Sequence, residues 1–293
     1  MQNNIQLGPV TIHMYGVMIA IGILAAVFVA TKRAKKLALN EDMIYNILWM
    51  ALIGGFLGCR IVYYLTMIPD IMKKPSILWD FNTGYVVYGG IIGGILANFI
   101  YFKIKKLDFL VYFDLVMPEI SLAQGFGRIG CFFAGCCHGK ATDSPIGFTY
   151  THSEYAPVGV SIYPTQIISS LGNFMIFLLL VMYAKKNKAK GTVASLYMML
   201  YSAGRFFVEF LRGDEGRGFI GVLSTSQAIA IGMFTFGFGS YIVFTMKSDK
   251  AEETDAESNH ISVTETDAEC NDSSVTEMVD NSISETLTNA EEE

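Results

Sequence analysis

The chain has 293 residues, of which 52% are hydrophobic and only 16% are charged. A water-soluble shell cannot enclose so much apolar side chain, which argues against an ordinary soluble enzyme and makes the membrane bilayer the expected solvent. The formal charge of −6 combines two regions of opposite sign: residues 248–293 hold 15 acidic residues against one basic residue, and the rest holds 20 basic and 12 acidic residues, a net charge of +8.

Seven apolar stretches are long enough for a helix that crosses roughly 30 Å of hydrocarbon, which takes about 20 residues. They lie near residues 10–31, 43–66, 84–102, 109–130, 163–184, 192–211 and 221–246. These stretches predict an all-α integral membrane protein, a bundle of about seven transmembrane helices that crosses the plasma membrane repeatedly.

Basic residues predict the orientation of this bundle. They cluster after the first, third, fifth and seventh stretches, within residues 32–36, 103–106, 185–190 and 247–250. Loops rich in lysine and arginine remain in the cytoplasm. We therefore expect the N-terminus outside and the C-terminus in the cytoplasm.

Two regions of different composition follow one another along the chain. We predict a transmembrane catalytic domain over residues 1–247, with an extracytoplasmic loop at about 131–162. Residues 248–293 form an acidic tail that contains a tandem 12-residue duplication, TDAESNHISVTE followed by TDAECNDSSVTE. Such a polar segment cannot bury enough surface to offset its chain entropy, so we expect a disordered cytoplasmic tail without a catalytic role.

The fourth stretch is the least regular of the seven. It contains Asp114, Pro118, Glu119 and Gln124 and ends in a glycine-rich run. A proline inside a helix removes a backbone hydrogen bond, which is tolerated only where protein or water surrounds it. We therefore expect this helix to be broken and buried. Glycines of the second and third stretches, spaced as small-xxx-small pairs, favour close helix packing.

Three arginines lie within the apolar stretches: Arg60, Arg128 and Arg205. A rise of about 1.5 Å per residue from the predicted cytoplasmic ends places all three in the outer half of the membrane. Tyr15, Tyr88 and Gln166 enter the same layer from the opposite side. A charged residue at such depth is a candidate functional residue.

The sixth stretch has a polar face, because Tyr201, Arg205, Glu209 and Arg212 recur at helical spacing. Glu209 either serves the site or simply pairs with one of the two arginines. Arg128 lies in QGFGRIGCFFAGCCHGK, whose five glycines let backbone amides approach a ligand. Guanidinium groups beside exposed amides suit phosphate, so the implied ligand is an anionic lipid headgroup of the outer leaflet.

Seven motifs in register resemble the prolipoprotein diacylglyceryl transferase family over roughly residues 8–246. They are HMYG at 13–16, GGFLGCR at 54–60, YGGIIGG at 88–94, GRIGCFFAGCCHGK at 127–140, YPTQ at 163–166, YSAGRFFVEFLR at 201–212 and LSTSQ at 223–227. The family fold has seven transmembrane helices with the N-terminus outside.

The resemblance implies a transferase that moves the diacylglyceryl group of phosphatidylglycerol to the lipobox cysteine of preprolipoproteins. A thioether forms, glycerol phosphate leaves, and no metal or other cofactor and no nucleic acid is involved. By this resemblance Arg128 and Arg205 surround the phosphate and the reaction centre. The other carried-over functional or site-forming positions are Tyr15, Gly139, Tyr201, Glu209 and Arg212. We add Arg60 and Gln166 as substrate-binding candidates.

The chain departs from the family pattern at positions that bear on the general base. Cys131, Ala134 and Cys136 replace asparagine, asparagine and glutamate, and Tyr88 and Tyr163 replace histidines. His138 is a candidate substitute because its unperturbed pKa lies near neutrality, and the alternative is an ordinary loop histidine. Tyr88 is a catalytic candidate that holds a hydrogen bond without taking a proton.

Cys131, Cys136 and Cys137 allow three interpretations. Thiolates bind zinc, but the spacing matches no common zinc motif and adjacent cysteines rarely bind one ion comfortably. A redox pair is a second interpretation. Small buried thiols that fill space beside glycine are the default expectation, and we predict no metal site.

Two other functions compete with the transferase. One is a divergent lipid transferase with another acceptor. The other is a non-catalytic protein that binds or transports anionic lipid or anions through Arg60, Arg128 and Arg205. A transporter needs polar residues at both membrane faces, and the predicted polar layer lies near the outer face only.

Overall fold

The computed structural model describes residues 4–7, 10–79, 84–153, 155–186, 189–213 and 218–250. Eight α-helices account for most of this part of the chain: α1 Met14–Lys36, α2 Asp42–Thr66, α3 Ile68–Lys73, α4 Val87–Lys105, α5 Phe109–Ala134, α6 Thr165–Lys186, α7 Thr192–Leu211 and α8 Thr225–Lys250. A short 3-10 helix, Pro75–Trp79, follows α3. The acidic tail predicted from residue 248 lies, from residue 251 onwards, outside the described residues.

Six of these helices are long and apolar enough to cross a membrane, namely α1, α2, α4, α5, α6 and α8. The fold is therefore that of an all-α, multi-pass membrane protein, as predicted. Helix α7 also has 20 residues, but its polar face, which carries Arg205 and Glu209, keeps it out of the strongly apolar set. The predicted spans and the observed helices agree to within about five residues at each end.

Three two-stranded antiparallel hairpins occupy the connections within the described residues. They pair β1 Asn4–Leu7 with β2 Val10–His13, β3 Phe148–Thr149 with β4 Ser161–Ile162, and β5 Phe219–Ile220 with β6 Leu223–Ser224. The first hairpin leads directly into α1, and the last leads directly into α8.

Helix α5 is the most buried of the six apolar spans. It packs against α1, α6 and α7. The predicted burial is confirmed, but the predicted break is wrong, because α5 runs without interruption through the buried Pro118. One proline removes a single hydrogen bond from a 26-residue helix, and surrounding helices hold the backbone in place.

Helices α2 and α4 form a second tightly packed pair. A Cβ atom on Gly58 would lie 2.9 Å from the Cα atom of Gly93, and one on Gly89 would lie 2.8 Å from Val62. Real side chains do not come so close, so only glycine permits this approach of the two backbones. The small-residue spacing read from the sequence thus marks a helix interface.

The two carboxylates within α5 have structural partners. Glu119 pairs with Arg33 of α1 at 2.6 Å. Asp114 accepts hydrogen bonds from the backbone N–H groups of Gly191, at 2.6 Å, and Ala194, at 2.8 Å, and so satisfies free donors at the start of α7. Both contacts fix neighbouring helices relative to α5.

Candidate functional site

A small cavity of about 60 Å³ lies between α5, α6 and α7 and is lined by Arg128, Tyr201 and Arg205. We call it the arginine pocket. Asn173 and Ser169 of α6 add polar groups to its wall. The sequence therefore predicted correctly that Arg128 and Arg205 lie together, although 77 residues separate them along the chain.

Arg205 is held in place by its own helix and by the start of α8. Its Nη1 atom lies 2.9 Å from a carboxylate oxygen of Glu209, one helical turn further along α7. Its Nη2 atom donates a hydrogen bond of 2.9 Å to the hydroxyl of Ser226. The guanidinium group therefore has a fixed orientation at the pocket wall.

Glu209 is nearly fully buried and has partners on both sides. Besides Arg205, its carboxylate lies 4.0 Å from Nε of Arg212 and accepts a hydrogen bond of 3.0 Å from the Ser224 hydroxyl. Ser224 is fixed in turn by Gln227, whose side-chain oxygen accepts from the Ser224 backbone N–H at 3.0 Å. The ion pair considered in the sequence is present and is part of a larger network.

Arg128 differs from Arg205 in its surroundings. Within the described residues, no hydrogen bond or ion pair reaches its guanidinium group, although the side chain is only partly exposed. Tyr201, Cys131 and Cys137 lie within electrostatic range. A half-buried cation without a counter-ion is costly in a membrane protein, so this arrangement favours an anionic ligand in the pocket.

A second, much larger cavity of about 680 Å³ adjoins the pocket at Tyr201 and Arg205, which line both spaces. Its wall is formed mainly by apolar side chains of α1, α2, α4, α5, α7 and α8, with Tyr88, Gln124 and Ser226 among the few polar groups. An apolar chamber that ends at a guanidinium group matches an amphiphile with hydrocarbon chains and an anionic head.

The loop after α5 is held by contacts with the start of α6 and the end of α7. Gln166 donates a hydrogen bond of 2.8 Å to the carbonyl oxygen of Cys136, and the Thr165 hydroxyl donates one of 2.8 Å to that of Cys137. Gly139 forms a β-bridge with Arg212. Gln166, predicted to bind substrate, is almost fully buried and anchors the loop in this structure.

Gly139 has a steric reason to be glycine. Its N–H donates to the carbonyl of Tyr163 at 3.1 Å. A Cβ atom here would lie 2.6 Å from Cβ of Tyr163 and 3.0 Å from the carbonyl oxygen of Leu211. The residue therefore lets three chain segments meet, and it does not line either cavity.

Four other predicted site residues lie elsewhere. Arg60 is buried among Tyr63, Tyr64 and Tyr85, 4.8–5.8 Å from their ring centres, and is absent from both cavity walls. The structure thus gives Arg60 a packing environment and does not bring it to the arginine pocket.

Tyr88 lines the large cavity only. Tyr15 of α1 is partly exposed, and its ring lies next to Gly130 of α5. The Nδ1 atom of His138 lies 3.1 Å from the carbonyl oxygen of the following residue, and the ring lines neither cavity. These three side chains therefore do not meet at the pocket.

Sequence reasoning missed the residues that position the charged network. Ser224, Ser226 and Gln227 were quoted in the motif LSTSQ but not selected as site residues. Their short polar side chains at the start of an apolar helix were the available signal. The partners of Ser224 and Ser226 on α7 lie 15 and 21 residues away along the chain, and the sequence does not predict the hairpin that brings them together.

Comparison with known proteins gives a consistent result. A family model described as prolipoprotein diacylglyceryl transferase matches residues 2–243. A relative from Clostridium tetani (strain Massachusetts / E88), named phosphatidylglycerol–prolipoprotein diacylglyceryl transferase, is 48% identical over 235 residues, which cover 78% of this chain and 94% of the relative.

Two further relatives extend this similarity. Phosphatidylglycerol–prolipoprotein diacylglyceryl transferase 2 of Clostridium perfringens (strain 13 / Type A) is 45% identical over 240 residues, covering 82% of this chain and 93% of its own. The protein of the same name, without the number, from Clostridioides difficile (strain 630) is 36% identical over 223 residues, covering 76% and 86%.

Proposed function

This chain belongs to the prolipoprotein diacylglyceryl transferase family, and we propose that it transfers the diacylglyceryl group of phosphatidylglycerol to the lipobox cysteine thiol of preprolipoproteins. It is a membrane-embedded transferase of lipoprotein maturation. The relatives from Clostridium tetani and Clostridium perfringens carry phosphatidylglycerol and prolipoprotein in their names.

The two arginines of the pocket support a phosphate site. Arg128 and Arg205 line one pocket, and the Arg128 guanidinium group has no hydrogen bond or ion pair within the described residues. A planar guanidinium group donates two hydrogen bonds to a phosphate, and a second fixed cation adds to the attraction. Arg205 is pre-oriented by Glu209 and Ser226, so little reorganisation accompanies binding.

The proposed reaction forms one bond and breaks one bond at the same glyceryl carbon. The acceptor sulfur forms a bond to the glyceryl carbon as the bond from that carbon to the phosphate oxygen breaks. The electron pair of that bond leaves with glycerol phosphate, and the thiol proton is released. Negative charge therefore grows on the phosphate, where Arg128 and Arg205 stabilise it more strongly than water does.

The large cavity supports the same assignment for the lipid chains. Its apolar wall suits acyl chains, and Arg205 and Tyr201 stand where it meets the arginine pocket. The reacting glyceryl carbon lies between chains and phosphate, so we place the reaction at this junction. Basic loops favour an orientation in the plasma membrane with this site towards the outer leaflet.

The test is a transfer assay with protein purified in detergent, phosphatidylglycerol and a lipobox peptide, read by mass spectrometry for the diacylglyceryl adduct. We expect the wild type to form the adduct and Arg128→Ala and Arg205→Ala to lose it about 100-fold or more. His138→Ala should remain active, as should Lys73→Ala, which removes an exposed cation.

Two results would contradict the proposal. A wild type that binds the lipid but forms no adduct would support a non-catalytic lipid-binding protein. Loss of activity in His138→Ala, with the arginine variants still active, would assign the chemistry to the loop histidine instead of the pocket.

A further inference from the structure

The three cysteines at the end of α5 form a cluster that the transferase reaction does not use. The Sγ atoms of Cys131, Cys136 and Cys137 all lie within 4.8 Å of one another. All three are free thiols, and all three are partly exposed. We call this group the thiol cluster.

The spacing is close to that of sulfur atoms bound to one metal ion. A zinc–sulfur bond is about 2.3 Å long, so two sulfurs on one tetrahedral ion lie about 3.8 Å apart. A contraction of about 1 Å, which side-chain rotation supplies, would therefore bring all three sulfurs to one ion.

Adjacent cysteines are normally poor partners on one ion, because neighbouring side chains of an extended chain point to opposite sides. The backbone here removes that obstacle. Cys137 has a φ of +58°, and Gly135, the residue that caps α5, has a φ of +77°. The chain turns sharply at both positions, and the thiol of Cys136 returns to 3.8 Å from the carbonyl oxygen of Cys131.

The turn is also held by hydrogen bonds from α6. Gln166 and Thr165 bind the carbonyl oxygens of Cys136 and Cys137, each at 2.8 Å, so the backbone that carries two of the thiols is fixed by the start of α6.

From this geometry we propose that Cys131, Cys136 and Cys137 form a binding site for one thiophilic metal ion, of the class of Zn²⁺ or Cu⁺. Each thiol that binds gives up its proton, and solvent supplies a fourth ligand where the ion requires one. No electron is transferred in this step. The thiols take no part in the proposed transfer reaction itself.

The test is metal binding by the full chain, purified in detergent and reduced without a chelating thiol. Zn²⁺ is titrated by competition with a chromophoric chelator, and Cd²⁺ is used as a spectroscopic probe of sulfur-to-metal charge transfer. We expect one ion per wild-type chain, and at least about tenfold weaker binding in Cys131→Ser and Cys136→Ser, since each lost ligand costs more than about 1.4 kcal/mol.

Two matched controls use the remaining cysteines. The variants are Cys59→Ser, at a residue of α2, and Cys270→Ser, at a residue of the acidic tail. Both should bind Zn²⁺ like the wild type. Bound Zn²⁺ should also protect Cys131, Cys136 and Cys137, but not Cys270, from alkylation as mapped by mass spectrometry.

Wild-type binding no tighter than that of Cys136→Ser would overturn the proposal. Equal loss in Cys270→Ser would do the same, because the tail would then supply the ligand. A variant that fails to fold is recognised by its thermal transition, and the alkylation pattern of the wild type then decides the question alone.

Discussion

Glu209 is a buried carboxylate whose oxygens reach Arg205, Arg212 and Ser224. Its side chain is 2% exposed, so water does little to screen these contacts. Removing one member of a buried ion pair leaves the other charge uncompensated. The orientation of Arg205 at the pocket therefore depends on a residue that does not line either cavity.

We predict that Glu209→Gln lowers the free energy of unfolding by roughly 2–3 kcal/mol and also lowers activity, because Arg205 loses its counter-ion. Denaturant unfolding in detergent measures the first effect. Glu41→Gln is the matched control, since Glu41 pairs with Lys35 at 3.5 Å on the surface and its loss should cost less than about 1 kcal/mol. Equal destabilisation by the two substitutions would contradict this account.

The Arg205–Glu209 pair was predictable because residues four apart share a helix face. The contacts of Ser226 and Ser224 were not, because they depend on how a hairpin folds α8 back onto α7. Nor does sequence reveal that Arg60 is enclosed by tyrosines while Arg128 has no internal partner among the described residues. The sequence shows which charged residues lie inside the membrane-spanning stretches, but only the packing of the helices determines which of these residues can bind a ligand.

Helices α2 and α4 depend on glycine at their contact. We predict that Gly58→Ala destabilises the protein by about 1–3 kcal/mol, because the new methyl group overlaps the backbone of α4. The control is Gly232→Ala on α8, where nothing lies within 4 Å of the new atom, so the higher helix propensity of alanine should leave stability unchanged or raised. Thermal unfolding compares the two, and equal melting temperatures would argue against the interface.

Helix α7 begins where Asp114 of α5 accepts two of its backbone N–H groups. Asp114→Ala should therefore cost about 2 kcal/mol and shift the melting temperature downwards. Asp108→Asn is the matched control, because it keeps the side-chain acceptor that caps α5 and loses only an exposed pair with Lys190. A larger loss in Asp108→Asn would show that the cap on α7 is unimportant.

The helices themselves were predictable, since a bilayer demands about 20 apolar residues for each crossing. Which helices pack against one another was not predictable in the same way. Hydropathy alone does not reveal that α5 packs against α1, α6 and α7. The proline at position 118 suggested a break, but packing keeps the helix intact. Small-residue spacing did predict that α2 and α4 each pack closely against a neighbouring helix, because steric fit is local enough to leave a mark in sequence, but it did not identify the two as partners.

The whole bundle is predicted to lie with its N-terminus outside. In a variant with all five cysteines replaced by serine, Lys73→Cys should react with a membrane-impermeant maleimide in intact cells. Lys105→Cys should react only after the membrane is permeabilised, because its loop is among the basic ones. Both lysines are exposed, so accessibility depends on the side of the membrane alone. The reverse pattern would invert the orientation.

The proposed reaction requires Arg128 and Arg205 to hold a lipid phosphate. Titration of lipid into purified Arg128→Gln and Arg205→Gln, followed by native mass spectrometry, measures this binding. We predict that each variant binds phosphatidylglycerol about 10–100-fold more weakly than the wild type, as expected for loss of a charged hydrogen bond. Each should bind neutral diacylglycerol with the same acyl chains as the wild type does. Equal losses for the charged and the neutral lipid, or no loss for either, would contradict the assignment.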